Sequence, residues 1–258
     1  MAKTEYGLQM CSVEDVAKQR PYKEVLCEVA KLGYKYVEFC GYYGHTAEEI
    51  KSFLEEYDLK VSGAHTGTPW FEEEKIDETI RFHKAIGCDT LIIPGCDWST
   101  PEKRDELIEN FAKWQKRLES EGMHLAYHNH DSEFMKTGYD IVFADDVLNR
   151  SSIELEVDTF WTFNARIDTI DFLNKYKDRI RVLHIKDGIS CKEENICFEN
   201  RRTGVEHRPV GYGENDIKAI HDWATENNVL MVVECENREP SGLYCSKQCI
   251  DYLKTLEE

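Results

Sequence analysis

The amino-acid sequence predicts an α/β fold, a single (β/α)8 TIM barrel spanning residues 1–258. Three observations lead to it. Eight short apolar runs of β character alternate with amphipathic helical stretches, the order that a parallel barrel requires. No linker, low-complexity tract or break in composition divides the chain. Four runs in the second half each end in metal-ligand chemistry: HLAYHNHD (124–131), IELEVD (153–158), IRVLHIKD (180–187) and LMVVECEN (230–237). In parallel sheets the C-terminal strand ends are where ligands sit.

The elements follow in order. The first run covers 6–10. Pro21 stands near the next helix start, as N1 prolines do, and Gly33 follows that helix, where a left-handed C′ residue is wanted. The second run is 36–40, and Thr46-Ala-Glu-Glu then reads as an N-terminal cap with early acids. The third run is 60–66 and the fourth, after Gly87, is 90–95. Thr100-Pro-Glu-Lys, with Pro101 at N1, starts a helix that Gly122 ends. The last four runs are 124–130, 153–158, 180–187 and 230–236. Residues 188–213, rich in charge, Asn, Cys and Gly, form an irregular stretch after the seventh run. A loop of that length over the barrel mouth is a candidate lid. A doubly wound open sheet is the structural alternative, but no glycine-rich phosphate fingerprint follows the first run.

Composition narrows the function. The chain of 258 residues is 41% hydrophobic, enough for a sizeable core. Its net charge of −18 opposes a nucleic-acid groove or an anionic membrane surface, since both need a basic face. No apolar run approaches the ~20 residues of a membrane span. The start, MAKTEYGLQM, has no secretory apolar region, so the expected location is cytoplasmic. Ten cysteines without a CxxC motif read as free thiols in a reducing compartment. A zinc knuckle of Cys191/Cys197 and Cys245/Cys249 is the alternative, with poor spacing.

Strand side chains alternate, so i and i+2 share a face. Turning the late polar residues inward gives one consistent set: His124, Ala126, His128 and His130; Glu154, Glu156 and Asp158; Val182, His184 and Lys186; Val232, Glu234 and Glu236. Glu38 and His65 join from the early runs. Many inward carboxylates then face one inward lysine, Lys186. Buried unpaired carboxylates are costly, and a bound dication relieves them. His, Asp and Glu ligands suit Mn, Co, Fe or Zn, and Mg remains open, with Ca disfavoured. His83, His124 and His221, each taken alone, need only a satisfied core or surface position. Lys186 admits a Schiff-base role or a role holding a substrate oxygen. Its carboxylate neighbours favour the second by raising its pKa. Trp70 and Trp161 read either as rim core or as flat walls for a sugar ring.

The ordered pieces GLQMCSV (7–13), His65, YHNHDSEF (127–134), VDTFW (157–161), LHIKDG (183–188), PVGYGENDI (209–217) and VVECEN (232–237) resemble the xylose isomerase-like barrels of sugar phosphate isomerases and epimerases. That resemblance implies one divalent metal held by the ends of strands five to eight, here by His128, Asp158, His184 and Glu234. His128 departs from the glutamate that the family's epimerases carry there. Those enzymes use two glutamates as paired acid and base, and Glu133 is the remaining candidate for the second carboxylate. The resemblance implies proton abstraction next to a carbonyl through an enediolate, with Glu234 as base, Glu133 and Lys186 as further catalytic groups, and Glu38, His65, His130, Trp70, Trp161 and Arg208 around a carbohydrate substrate.

Isomerisation, epimerisation and β-elimination share that first step. The leading expectation is a metal-dependent sugar or keto-sugar isomerase or epimerase. The alternatives are a lyase or dehydratase on a keto-sugar or inosose, and a non-catalytic sugar-binding subunit with a degenerate site. The related abasic-site endonucleases need a basic DNA face, which the charge opposes. Arg201, Arg202 and Arg208 are either solvated loop charge or a clamp for a phosphate or carboxylate, with Arg208 the expected clamp. A homo-oligomer fits barrels of this kind.

Overall fold

The structure, a computed structural model, describes residues 4–257. Eight parallel strands close a barrel: β1 (Tyr6–Gln9), β2 (Tyr36–Phe39), β3 (Lys60–His65), β4 (Thr90–Ile93), β5 (His124–His128), β6 (Glu154–Asp158), β7 (Ile180–Ile185) and, after a hairpin of β8 (Asp187–Ile189) with β9 (Glu206–Arg208), β10 (Leu230–Val233). Neighbours run in sequence order, and β10 closes the ring between β7 and β1. The helices are α1 (Glu14–Ala17), α2 (Tyr22–Leu32), α3 (Ala47–Tyr57), α4 (Ile76–Ala85), α5 (Pro101–Glu119), α6 (Phe143–Arg150), α7 (Thr159–Asn164), α8 (Thr169–Tyr176), α9 (Ile217–Asn227) and α10 (Gly242–Thr255). Among the described residues no helix is long and apolar enough to cross a membrane.

Local chemistry accounts for the helix ends. Thr46 and Glu49 form a reciprocal capping box on α3. Thr100 accepts from Lys103 N, with Pro101 at N1 of α5. Gly33 ends α2 at φ 105°, a left-handed conformation that a side chain resists.

The strands separate packing from chemistry. Leu8, Val37, Leu91, Leu125, Val157, Leu183 and Val233 face the helices and are fully buried in one core. The alternate residues point into the barrel. Low in the interior, Val232 packs against Gly7 and Ile92 against Gly63. A Cβ at Gly63 would lie 2.5 Å from Ile92 Cδ1 and 3.5 Å from Glu38 Oε2, so glycine makes room for both. One layer higher, the same alternation brings in Gln9, Glu38, His128, Glu156 and His184. All are 2% exposed or less. Strand pairing slips between Val37 and Glu38 and again between Leu155 and Glu156. Such irregularities re-aim the next side chain, and here each precedes a buried carboxylate.

Two expectations about elements need correction. The expected strands overrun the observed ones at the C-terminal end by up to three residues. The apolar pattern continues where the backbone has already left the ladder, so His130, Lys186, Glu234 and Glu236 sit past the pairing. The stretch 188–213 is also less irregular than expected, because β8 and β9 pair at its two ends. Asp187 holds that closure, accepting from the backbone N–H groups of Gly188, Gly211, Gly213 and Asn215 at 2.8–3.1 Å.

Candidate active site

At the C-terminal mouth, His128, Asp158, His184 and Glu234 each turn one ligand atom toward a common point. These atoms lie within 4.8 Å of one another, and all four residues are buried. Behind them is a layer of carboxylates that orients the imidazoles. His184 Nε2 donates to Glu38 Oε1 at 2.7 Å and lies 3.1 Å from Glu156 Oε1. His128 Nδ1 donates to Glu156 Oε2 at 3.0 Å, and His65 Nε2 to the same oxygen at 2.8 Å. Gln9 Nε2 donates to Glu38 Oε1 at 2.8 Å. A buried carboxylate on one ring nitrogen sets the tautomer and turns the other toward the centre, where His184 Nδ1 lies 3.1 Å from Glu234 Oε2. His65, His128, Glu156 and His184 form a second grouping of ligand atoms of the same span, which shares both central histidines.

These residues fit a divalent cation. Asp158 Oδ1 caps α7, accepting from Phe160 N at 3.0 Å and Trp161 N at 3.1 Å. Its Oδ2 is buried and has no hydrogen-bond partner, and neither have Glu38 Oε2 and Glu156 Oε1. Burial pushes the Asp158 carboxyl up to about 7. Burial alone would pull His65 down, yet Glu156 and Glu38 raise it to about 10. Without a cation, protons on histidine carry the balancing charge. Two imidazole nitrogens and two carboxylates suit Mn, Fe, Co or Zn.

Lys186 lies beside this centre, 1% exposed. Its ammonium is 3.3 Å from Glu234 Oε2 and 3.8 Å from Asp158 Oδ2, hydrogen-bonds Glu236 Oε1, and sits 4.8 Å above the Trp161 ring. Burial opposes the charge, but Glu234, Asp158 and Glu236 hold its pKa well above the usual range. A lysine so charged is a hydrogen-bond donor, not a Schiff-base nucleophile. Burial also opposes ionisation of Glu234, and Lys186 and His184 overcome it, so that carboxylate stays ionised. His130 is kept neutral by burial and by Lys186, with its pKa down to about 3.

Two cavities adjoin the centre. One of about 390 Å³ is lined by His130, Ser132, Asp97, Trp98, Phe198 and Arg202 among others. The other, about 400 Å³, is lined by His65, Cys40, Tyr42, Trp70 and Phe82 among others. Trp161 is buried against His130, while Trp70 is 51% exposed on its cavity wall.

Three expected roles do not survive the geometry. Glu38 is fully buried beneath the histidines and touches them, not the mouth. Glu133 is tied to Tyr127 Oη (2.7 Å), Ser132 Oγ (2.7 Å) and His130 N (3.1 Å). Tyr127 belongs to the helix-facing side of β5, so Glu133 braces the loop that carries His130, on the wall of the cavity beside the centre. Arg208 pairs with Glu206 and lines a separate cleft with Tyr212 and Tyr244. The arginine at the mouth is Arg202, 4.6 Å over Trp161 with Nε 3.5 Å from Asp131 Oδ2. His124 pairs with Glu154 at the opposite end of its strand face. His83 and His221 bond Thr79 O and Tyr6 Oη, away from the centre. No cysteine enters either ligand grouping among the described residues. Sequence reasoning gave no role to Glu156, Gln9 or Cys11. Glu156 carried a signal, standing two residues before Asp158 on the same face.

Glu133→Gln tests its bracing role. It is expected to lower stability by about 1–3 kcal/mol, as loss of a buried acceptor for several donors does, with metal content unchanged. Urea unfolding and elemental analysis measure the two. Retained stability with lost turnover would return Glu133 to the chemistry.

The fold and this centre define a (β/α)8 barrel protein with a buried histidine–carboxylate cluster at its strand ends that could hold a metal ion. The chain belongs to the xylose isomerase-like TIM barrel family, whose model matches residues 26–256. It is 25% identical over 252 residues to an inosose dehydratase of Clostridium perfringens, covering 86% of this chain and 84% of that one. A sugar phosphate isomerase/epimerase of Parabacteroides distasonis superposes with a TM-score of 0.75 at 23% identity, covering 97% of each chain. A probable 3-DHS dehydratase of Bacillus anthracis gives 0.71 at 10% identity, covering 96% of this chain and 99% of that one. At these identities the two structures speak for the fold alone.

Proposed function

We propose that this protein is a divalent-metal-dependent lyase that removes water from a cyclic polyhydroxy ketone of the inosose class. The observation that carries the reading is the pairing of Glu234, a carboxylate kept ionised, with the buried Lys186 ammonium 3.3 Å away. Strand five brings a histidine where the epimerases carry glutamate, and the Glu133 carboxylate is engaged by Tyr127, Ser132 and the His130 backbone. Two-base epimerisation needs an acid and a base on both faces of the substrate. Elimination needs one base and stabilisation of a departing oxygen. The inosose dehydratase relatives support the same choice.

His128, Asp158, His184 and Glu234 would hold the cation. When bound, it supplies Lewis acidity to a carbonyl and its neighbouring hydroxyl. Glu234 takes the proton from the carbon next to the carbonyl. Lys186, anchored by Glu236, donates to the oxygen on which charge develops. Neutral His130 and the Trp161 face line the entrance and exclude water. The chain acts as one barrel domain in the cytoplasm, and residues 188–213 cover the mouth.

Aldose–ketose isomerisation is the second reading, because the same single base serves it by returning the proton to the adjacent carbon. Proton NMR in deuterated water separates the two, using cyclic polyhydroxy ketones and sugar phosphates as substrates. Dehydration gives the enol of a 1,2-diketone with loss of one water, whereas isomerisation puts deuterium on the neighbouring carbon with no loss of water. Exchange with neither product from the metal-loaded protein would leave a binding role.

A further inference from the structure

One wall of the 400 Å³ cavity beside the centre comes from a single helix face. Thr79 and His83, and likewise Glu78 and Phe82, stand four residues apart on α4, so they lie side by side. Tyr42, just past β2, packs on this face, its ring centroid 4.5 Å from Phe82 and 5.8 Å from His83. Trp70 is placed by the short 3-10 turn Thr68–Phe71. Its N–H donates to Gly67 O at 3.0 Å, its carbonyl accepts from Thr79 Oγ1 at 3.0 Å, and its neighbour Phe71 is buried against Trp114. The turn is thus anchored while the indole stays exposed on the cavity wall. The polar groups of the lining are largely spent inside the protein. Thr66 gives its hydroxyl to Ala64 O at 3.1 Å, and Thr79 gives its own to Trp70 O. His83 donates Nδ1–H to Thr79 O at 2.7 Å, and burial keeps its ring neutral. Tyr42 Oη is buried, so Tyr42 brings its ring to the wall. Only Cys40 and Glu78 add exposed polar side chains. His65, also in the lining, has its ring 5.0 Å from that of His128 and 5.5 Å from that of His184, which ties the cavity to the centre.

We propose that this cavity is a subsite for a flat apolar group, an aryl substituent carried by a substrate whose polyhydroxy ring lies at the metal centre. Aromatic walls suit either the face of a second sugar or an aryl ring. The hydroxyls decide between them. A second sugar would bury several hydroxyls against lining groups already committed, and each unmatched one costs free energy. An aryl ring asks for no such partner and gains from burial against Trp70, Phe82 and Tyr42. The placing of the polyhydroxy ring rests on the reading of the centre above. The affinity of the cavity for an aryl ring does not.

The test compares phenyl β-D-glucopyranoside with methyl β-D-glucopyranoside on zinc-loaded protein by calorimetric titration. The phenyl glycoside is expected to bind about 10–100-fold more tightly, the gain from burying a Phe-sized group. Trp70→Ala removes an exposed side chain, and thermal unfolding checks that the fold is kept. It should cut the phenyl preference by about tenfold and leave binding of the methyl glycoside unchanged. 4-Azidophenyl β-D-glucopyranoside, photolysed on the protein, should label Trp70 or the α4 segment 78–83. Phenol alone should displace that label, a result that does not depend on glucose being the right polyol. Equal affinities for the two glycosides overturn the subsite. So does a phenyl preference unchanged in Trp70→Ala, or a label that phenol leaves in place or that falls only on Trp98 and Phe198 of the other cavity. No readout needs turnover. A protein that dehydrates an inosose but ignores the aryl ring loses this inference alone, and one that prefers the aryl ring without dehydrating any ketone loses only the proposed reaction.

Discussion

Asp158→Asn is expected to strip the divalent metal and abolish turnover while leaving the fold standing. The two carboxylate oxygens of Asp158 have separate duties. Oδ1 caps α7 through Phe160 N and Trp161 N, and Oδ2 has no hydrogen-bond partner, with the Lys186 ammonium 3.8 Å away. Asparagine keeps an acceptor for the cap and puts an amide N–H₂, which cannot ligate, where Oδ2 stood. It also removes a carboxylate whose ionisation burial opposes and Glu234 opposes further, against the pull of Lys186. The metal-free variant should therefore unfold within about 1 kcal/mol of the wild type. Asp158→Ala, which loses the cap as well, should fall by about 0.5–2 kcal/mol more. Metal affinity should drop by more than about 100-fold, the upper end for losing an outer-layer partner of a ligand. Elemental analysis, calorimetric titration and thermal unfolding of the three proteins decide it. One equivalent of tightly held metal in Asp158→Asn would remove Asp158 from the centre.

The periodicities that made this centre legible also explain what stayed hidden. His128, Asp158, His184 and Glu234 lie at the ends of apolar runs with period two, and a parallel barrel sends such ends to one place. Periodicity says nothing about how far a ladder extends. That depends on backbone hydrogen bonds between chains distant in sequence, so the expected strands ran on into the mouth. Nor does it place loop side chains. Glu133 and Glu156 are both acidic residues near the ligands. Only the three-dimensional packing shows that Tyr127, Ser132 and the His130 backbone engage one in bracing the loop while a slip in strand pairing turns the other under His65, His128 and His184. Arg202 and Arg208 show the same limit. Both belong to the segment between β7 and α9, and the β8–β9 hairpin decides which of them reaches Trp161.

Glu156→Gln is expected to cost both stability and metal. Glu156 is fully buried and serves three imidazoles: His65 at 2.8 Å, His128 at 3.0 Å and His184 at 3.1 Å. Removing one partner of a buried ion network destabilises by about 3–5 kcal/mol, because the remaining charges are left uncompensated. Glutamine keeps the shape but loses the charge that holds protons on His65 and His184 against burial. The pH dependence identifies the cause. In the metal-free wild type the folded-state pKa of His65 is about 10, above the ordinary value of 6.5. A group raised on folding contributes fully below its unfolded pKa and loses that contribution as pH rises through the folded value. Metal-free wild type should therefore lose stability between about pH 6.5 and pH 10, and Glu156→Gln should show a much flatter profile over that window. In the metal-loaded wild type the cation replaces those protons, and the decline should shrink. Affinity for the metal should fall by about 10–100-fold in the variant, since His128 would lose the acceptor that sets its tautomer. Urea unfolding across the window, with and without metal, measures all three effects. Parallel profiles in wild type and variant would show that the histidines are neutral in the metal-free protein, and the buried carboxylates would then need another source of compensation.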